Sequence, residues 1–185
     1  MGKLCSSAEV QVLYSPMQKI LLTSFETWLP HQKSNSSNDL LMEVAKIDSL
    51  SYSLNFLRHL PVDVPKASDH AIAKINELQP DIIICCGMAE SRLQLSVESN
   101  ASDGDTVLKT SVNLDRLLDG SVGTKVSHDA GKFVCEGLYY SVLNHLPKTD
   151  LKSRGLFVHV PVLTRNNVAG ILADFELIMQ RLTSS

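Results

Sequence analysis

The run Asp81-Ile82-Ile83-Ile84-Cys85-Cys86-Gly87 constrains this chain more than any other stretch. Its apolar residues are consecutive rather than alternating, so a strand formed here is covered on both faces. Pro80 stands directly before it and ends whatever helix precedes. Two further runs have the same character, Lys19 to Phe25 and Arg154 to Val160. Between the runs lie helical patterns. Lys66 to Leu78 carries Ala67, Ala71, Ile75 and Leu78, with Ser68 or Asp69 near its start. Phe133, Val134, Leu138, Val142, Leu143 and Leu146 recur at helical spacing up to Pro147. Arg165 to Leu182 is amphipathic, through Val168, Ile171, Leu172, Phe175, Ile178, Met179 and Leu182. Doubly buried strands alternating with such helices predict an α/β fold, a three-layer α/β/α sandwich on a mostly parallel mixed sheet.

Weaker signals fill in the rest. Ser51 to Val62 predicts a second strand, its exit bracketed by Pro61 and Pro65. Glu26 to Asn38 reads as a long loop holding Trp28, Pro30 and His31, followed by a helix from Leu40 to about Ile47 capped by Asn38 or Asp39. Arg92 to Asn100 alternates Leu93, Leu95 and Val97 with Gln94, Ser96 and Glu98, which predicts a half-exposed strand with Glu98 on the open side. Ser102 to Asp105 is a turn, Thr110 to Leu118 helical, and Thr124 to Ser127 a short strand. Met1 to Pro16 reads as a loose tail or edge element. The 185 residues suffice for one domain with a full core.

A hydrophobic share of 44% with 20% charged residues fits a globular chain rather than a disordered one. A net charge of −3 gives no electrostatic footprint for nucleic acid or an anionic membrane. No apolar run approaches the roughly 20 residues of a membrane span, and the first residues lack a signal-peptide core, so the expected location is the cytoplasm. Cys5, Cys85, Cys86 and Cys135 form no spaced disulfide framework and no zinc pattern with the histidines.

Parallel sheets bind ligands beyond the carboxyl ends of their strands, which directs attention to Gly87 onward. Cys135 lies near the start of the helix that follows the small-residue turn ending at Gly131. A helix N-terminus favours a thiolate, although a buried, inert side chain is the commoner fate of a cysteine. His159 is close to the end of a buried strand before Pro161, and Glu98 is a carboxylate on a strand. A thiol nucleophile needs a base and a group to orient that base. His128-Asp129 offers a second, sequence-adjacent histidine–carboxylate pair.

Four blocks from Ile20 to Leu163 resemble the pyroglutamyl peptidase I (pyrrolidone-carboxylate peptidase) family of cysteine peptidases. Ile20-Leu21-Leu22-Thr23-Ser24-Phe25-Glu26-Thr27-Trp28 is similar to its Gly-Phe-Glu-x-Phe opening, with Asn35 at its usual asparagine. Pro80 to Ala89 with Arg92 and Glu98 resembles the central strand and the glutamate that follows. Ala130-Gly131-Lys132-Phe133-Val134-Cys135-Glu136 resembles the nucleophile block Ala-Gly-Thr-Phe/Tyr-Val-Cys-Asn, and Phe157-Val158-His159-Val160-Pro161 the Ile-His-Val-Pro block. The resemblance implies Cys135 as nucleophile, His159 as base and Glu98 as the residue orienting it. It implies removal of an N-terminal pyroglutamyl residue from peptides through a thioester acyl-enzyme, without metal or organic cofactor. Phe25, Trp28, Phe133, Met88 and Asn35 then fall in the substrate pocket. It also implies a homo-oligomer, dimer or tetramer, and, as partner, a peptide substrate with a blocked N-terminus.

The chain departs from the family at definite places. Met88 replaces a glutamine, Ser24 a glycine, and Trp28 a phenylalanine. The segment after Glu98 is short and lacks the arginine the family places near the oxyanion. Two other readings therefore stand beside the peptidase. One is a diverged binding or regulatory protein of the same fold; the other is a thiol hydrolase acting on another amide or lactam.

Overall fold

A computed structural model describes residues 17–48, 50–121 and 123–184. The tail expected over Met1 to Pro16, with Cys5, lies outside the described residues. Along the chain run β1 (Lys19–Phe25), α1 (Ser36–Val44), β2 (Ser53–Leu60), α2 (Val64–Leu78), β3 (Ile82–Met88), β4 (Leu95–Glu98), β5 (Asn100–Asp103) and β6 (Thr106–Lys109). There follow α3 (Leu114–Leu118), β7 (Thr124–Ser127), α4 (Val134–His145), a 3-10 turn (Leu146–Lys148), β8 (Arg154–Val160) and α5 (Val168–Thr183).

The main sheet has the order β2-β1-β3-β8-β4-β7. All its pairings are parallel except β4 against β8, so the sheet is mixed and mostly parallel as expected. Residues of β3 divide between two cores. Ile82, Ile84 and Cys86 face the layer that holds Phe175 and Met179 of α5 with Leu40 and Leu41 of α1. Ile83 and Cys85 face Ala67, Ala71 and Ile75 of α2 and Leu138, Tyr139 and Val142 of α4. All three isoleucines are fully buried. Each such burial stabilises by roughly 1.5–3 kcal/mol, which makes β3 a stiff floor for what stands at its carboxyl end. No helix among the described residues is long and apolar enough to cross a membrane.

Several local expectations need correcting. The first helix begins at Ser36, not Leu40, because Asn35 caps it by accepting from Ser37 N. Pro65 belongs to α2 rather than to the exit of β2. Its missing N–H costs nothing in a first turn, and Asp63 supplies the cap by accepting from Lys66 N. Pro147 likewise sits inside the 3-10 turn that extends α4. The third helix is only the five residues Leu114–Leu118, and the last starts at Val168 rather than Arg165. The turn at Ser102 to Asp105 is narrower than expected: Asp103 and Thr106 are paired, and β5 and β6 form a small antiparallel hairpin. The strand after Arg92 is short and buried throughout, because β8 and β7 flank it and both faces of the sheet are covered. Glu98 is accordingly 0% exposed rather than open to solvent.

Candidate active site

Strand register brings the site together. Gly87 on β3 pairs with His159 on β8, and His159 pairs on its other side with Ser96 of β4, two residues before Glu98. Paired residues point to the same face, so Gly87, His159 and Glu98 all address the layer containing α4. A Cβ at Gly87 would stand 2.6 Å from Cys135 Sγ and 2.9 Å from the Phe157 ring. The sulfur thus occupies the place of the missing side chain. Its position over Gly87 sets it above the strand neighbouring the one that carries His159.

His159 Nδ1 lies 2.7 Å from Glu98 Oε1, and both residues are buried. A carboxylate only accepts, so Nδ1 carries the proton and Nε2 is left as the basic nitrogen. Phe157 packs against the imidazole with ring centroids 4.9 Å apart. Tyr139, one turn beyond Cys135 on α4, donates its hydroxyl to the Glu98 carbonyl at 3.0 Å. Burial pushes the Glu98 carboxyl up, but hydrogen bonds from His159, Ser127 and Arg92 outweigh it and hold the group below its ordinary value. The acid is therefore an anion at neutral pH, as an orienting group must be.

The turn that leads into α4 and Cys135 is built by its own polar groups. Asp129 Oδ1 accepts from Gly131 N at 2.9 Å, and Gly131 takes φ 96°, a left-handed conformation that favours glycine. Phe133 then caps α4 without a side-chain acceptor. The first N–H groups of the helix, Cys135 among them, have no intrahelical partner and point toward the thiol end of the site. Such donors suit an oxyanion. They do not make the resting group a thiolate. Burial pushes the Cys135 thiol up to about 12, Glu98 and Cys85 add to this, and Arg92 and the backbone N–H oppose it. The sequence-based expectation of a thiolate is corrected here: loss of hydration outweighs the helix terminus.

Beside the sulfur opens a cavity of about 250 Å³. Phe25, Trp28, Phe133, Met88 and Asn35 all line it with Cys135. Trp28 and Phe133 form one wall, their rings 4.9 Å apart and each about half exposed. Phe25 is buried behind them. Asn35 is occupied internally: it caps α1 and donates Nδ2 to Glu26 O at 3.1 Å. Met88 Sδ accepts from Ser36 N at 3.4 Å, so the thioether is tied to the start of α1. His128 lies against Ser99 Oγ at 2.7 Å, while the Asp129 carboxylate serves the turn, so these neighbours do not work as a pair. No group of three or more His, Cys, Asp or Glu residues that could hold a metal ion is present among the described residues.

Sequence reading located Gly87 as a strand end near the site but not its contact with the sulfur, and it missed two contributors: Tyr139 was legible only as a helix position, and Gln32 not at all. Gln32 Oε1 accepts from Trp28 N and Leu29 N, and its Nε2 donates to Glu90 Oε1 at 2.8 Å, which ties the tryptophan loop across the cavity mouth. No periodicity marks such contacts, since they depend on where two loops meet.

A thiol beside an imidazole held by a buried carboxylate, on a mostly parallel α/β sheet, is the arrangement of groups that thiol hydrolases use. Comparison with known proteins points within that class. The family described as Pyroglutamyl peptidase matches residues 106–174, which include Cys135 and His159. The chain is 27% identical over 173 residues to a pyrrolidone-carboxylate peptidase of Brevibacillus brevis, covering 80% of each chain. It is 24% identical to that of Bacillus cytotoxicus, covering 89% of this chain and 92% of the relative. Its fold is that of pyroglutamyl peptidase I. The Bacillus amyloliquefaciens structure superposes with a TM-score of 0.80 at 21% identity, covering 91% of this chain and 96% of the other. The Thermococcus litoralis pyrrolidone carboxyl peptidase gives 0.78 at 17% identity over 91% and 94%.

Proposed function

We propose that the protein is a cysteine peptidase that removes an N-terminal pyroglutamyl residue from peptides. The observation that carries this is the Cys135 sulfur over Gly87, beside the Glu98-bound His159, at the edge of an aromatic-walled cavity. Because the thiol rests protonated, His159 Nε2 takes its proton as the sulfur attacks the carbonyl carbon of the pyroglutamyl residue. The carbonyl oxygen gains the electron pair and turns toward the free N–H groups at the start of α4. Collapse of this intermediate breaks the C–N bond, and the imidazolium gives its proton to the leaving amine. The same nitrogen then takes a proton from water as its oxygen attacks the thioester carbon, the C–S bond breaks, and the imidazolium returns the proton to sulfur. Glu98 holds the tautomer and compensates the imidazolium throughout.

The substrate ring is flat, small and neutral, which suits a slot between Trp28 and Phe133 rather than a charged site. With Met88 where the family has an amide, apolar walls carry more of the recognition. The test is hydrolysis of a pyroglutamyl anilide beside the prolyl anilide and anilides of larger cyclic amides. Turnover restricted to the pyroglutamyl compound, and lost in Cys135→Ala, supports the reading. Turnover of another lactam instead identifies a different hydrolase, and no thiol-dependent turnover of any of them rejects a hydrolytic role.

A further inference from the structure

We infer that Arg92 is a positioning residue that couples the buried acid to the nucleophile turn, a fourth member of the Cys135–His159–Glu98 set. This rests on the reading of Cys135 as the nucleophile. Arg92 stands on the loop between β3 and β4, its side chain only 20% exposed. One guanidinium nitrogen, Nη1, donates to Glu98 Oε1 at 2.5 Å, the same oxygen that faces His159 Nδ1. The other, Nη2, donates to the Asp129 carbonyl at 2.9 Å, six residues before Cys135. A single planar fork therefore joins the carboxylate that aims the base to the turn that aims the thiol.

Both halves of the fork have a consequence. The charge half neutralises a fully buried carboxylate that also faces the imidazole. Without that cation the site becomes more negative, and losing a proton from sulfur becomes harder. The geometric half fixes the Asp129 end of the turn, whose Gly131 and Phe133 lead directly into the start of α4. A guanidinium supplies both bonds from one rigid plane, whereas an ammonium is a single point charge. The other ionisable groups near the imidazole and the sulfur include Cys85 on β3, Glu98 on β4 and Tyr139 and Glu136 on α4, while Glu90 and Lys132 line the same cavity as Cys135. On the turn, the Asp129 carboxylate is taken by Gly131 N and His128 by Ser99. Of the groups hydrogen-bonded to Glu98, which are His159, Ser127 and Arg92, the arginine is the one with a permanent positive charge.

The experiment compares wild type, Arg92→Met and Arg92→Lys in two assays. The first is the pH dependence of Cys135 alkylation by iodoacetamide, mapped by peptide mass spectrometry, which needs no substrate. The second is kcat and KM on a pyroglutamyl anilide. Removing the charge moves the alkylation profile of Arg92→Met to higher pH and lowers kcat by about tenfold or more, as loss of a charge-assisted hydrogen bond does, with KM little changed. Arg92→Lys restores the profile but not kcat, because it cannot hold Glu98 and Asp129 together. A profile unchanged in Arg92→Met, or kcat fully restored by lysine, overturns the inference. If Arg92→Met does not fold, Arg92→Gln carries the same charge comparison against lysine. If wild type fails to cleave the anilide but the alkylation profile still shifts, the proposed substrate is wrong and the coupling stands.

Discussion

At the scale of single residues, the site depends on an absence as much as on its ionisable groups. Gly87 has ordinary strand geometry, so its role is space: any Cβ there meets the Cys135 sulfur and the Phe157 ring. Gly87→Ala therefore displaces the thiol from the imidazole, and we expect kcat to fall by on the order of a hundredfold, since misplacement by an ångström has that effect. Steady-state kinetics on the folded variant checks this. Glu98→Gln leaves the shape but removes the anion that selects the Nε2-basic tautomer. A loss on the order of 10³–10⁴ in kcat is expected, as in other triads. A loss below tenfold contradicts the orienting role. Cys135 is partly exposed as a residue and borders the cavity, while Cys85 and Cys86 are fully buried, so it is the first of these three to react with iodoacetamide.

At the scale of elements, the site is the meeting of strand ends β3, β8 and β4 with the start of α4 and the long loop after β1. The wall formed by Trp28 and Phe133 comes from two of these pieces, the β1–α1 loop and the residue capping α4. Trp28→Ala should raise KM by roughly tenfold with a smaller change in kcat, because an aromatic contact of this kind mainly binds the ring. Equal falls in kcat and kcat/KM contradict that assignment. The sheet strands β1, β3, β7 and β8 were legible because their apolar runs or short β patterns are local signals. Glu98 was misplaced because alternation reports only half of an environment: Ser96 and Glu98 are polar yet buried, since they face His159 and Arg92 rather than water. The thiolate expectation failed for a similar reason. A helix terminus is visible in sequence, but the burial that opposes it arises only when α4 packs on β3 and β8. The motifs around Cys135 and His159 were legible as patterns, while the register that joins them through Gly87 is a property of the sheet.

At the scale of the whole molecule, the titrating groups set a window of stability. Glu98 is held below its ordinary value of 4.5 in the folded state. Its contribution is complete above that value and is lost as the pH falls through the lower folded value. Cys85 and Cys135 are pushed by burial from 9.0 to about 12, and Cys86 moves in the same direction. Between those values the unfolded chain releases protons that the folded chain keeps, so stability declines as the pH rises above about 9. Denaturant midpoints measured across pH should thus form a plateau that falls off on both sides; a midpoint still rising above pH 9 contradicts the burial of these thiols. The central claim is that this fold presents Cys135 to a pyroglutamyl carbonyl. It is tested most directly by mixing the protein with a pyroglutamyl ester, quenching in acid within the first turnover and mapping the mass added. The expected adduct is a pyroglutamyl thioester on Cys135, absent from Cys135→Ala. Product formation with no acyl group on Cys135, or continued hydrolysis by Cys135→Ala, would contradict it.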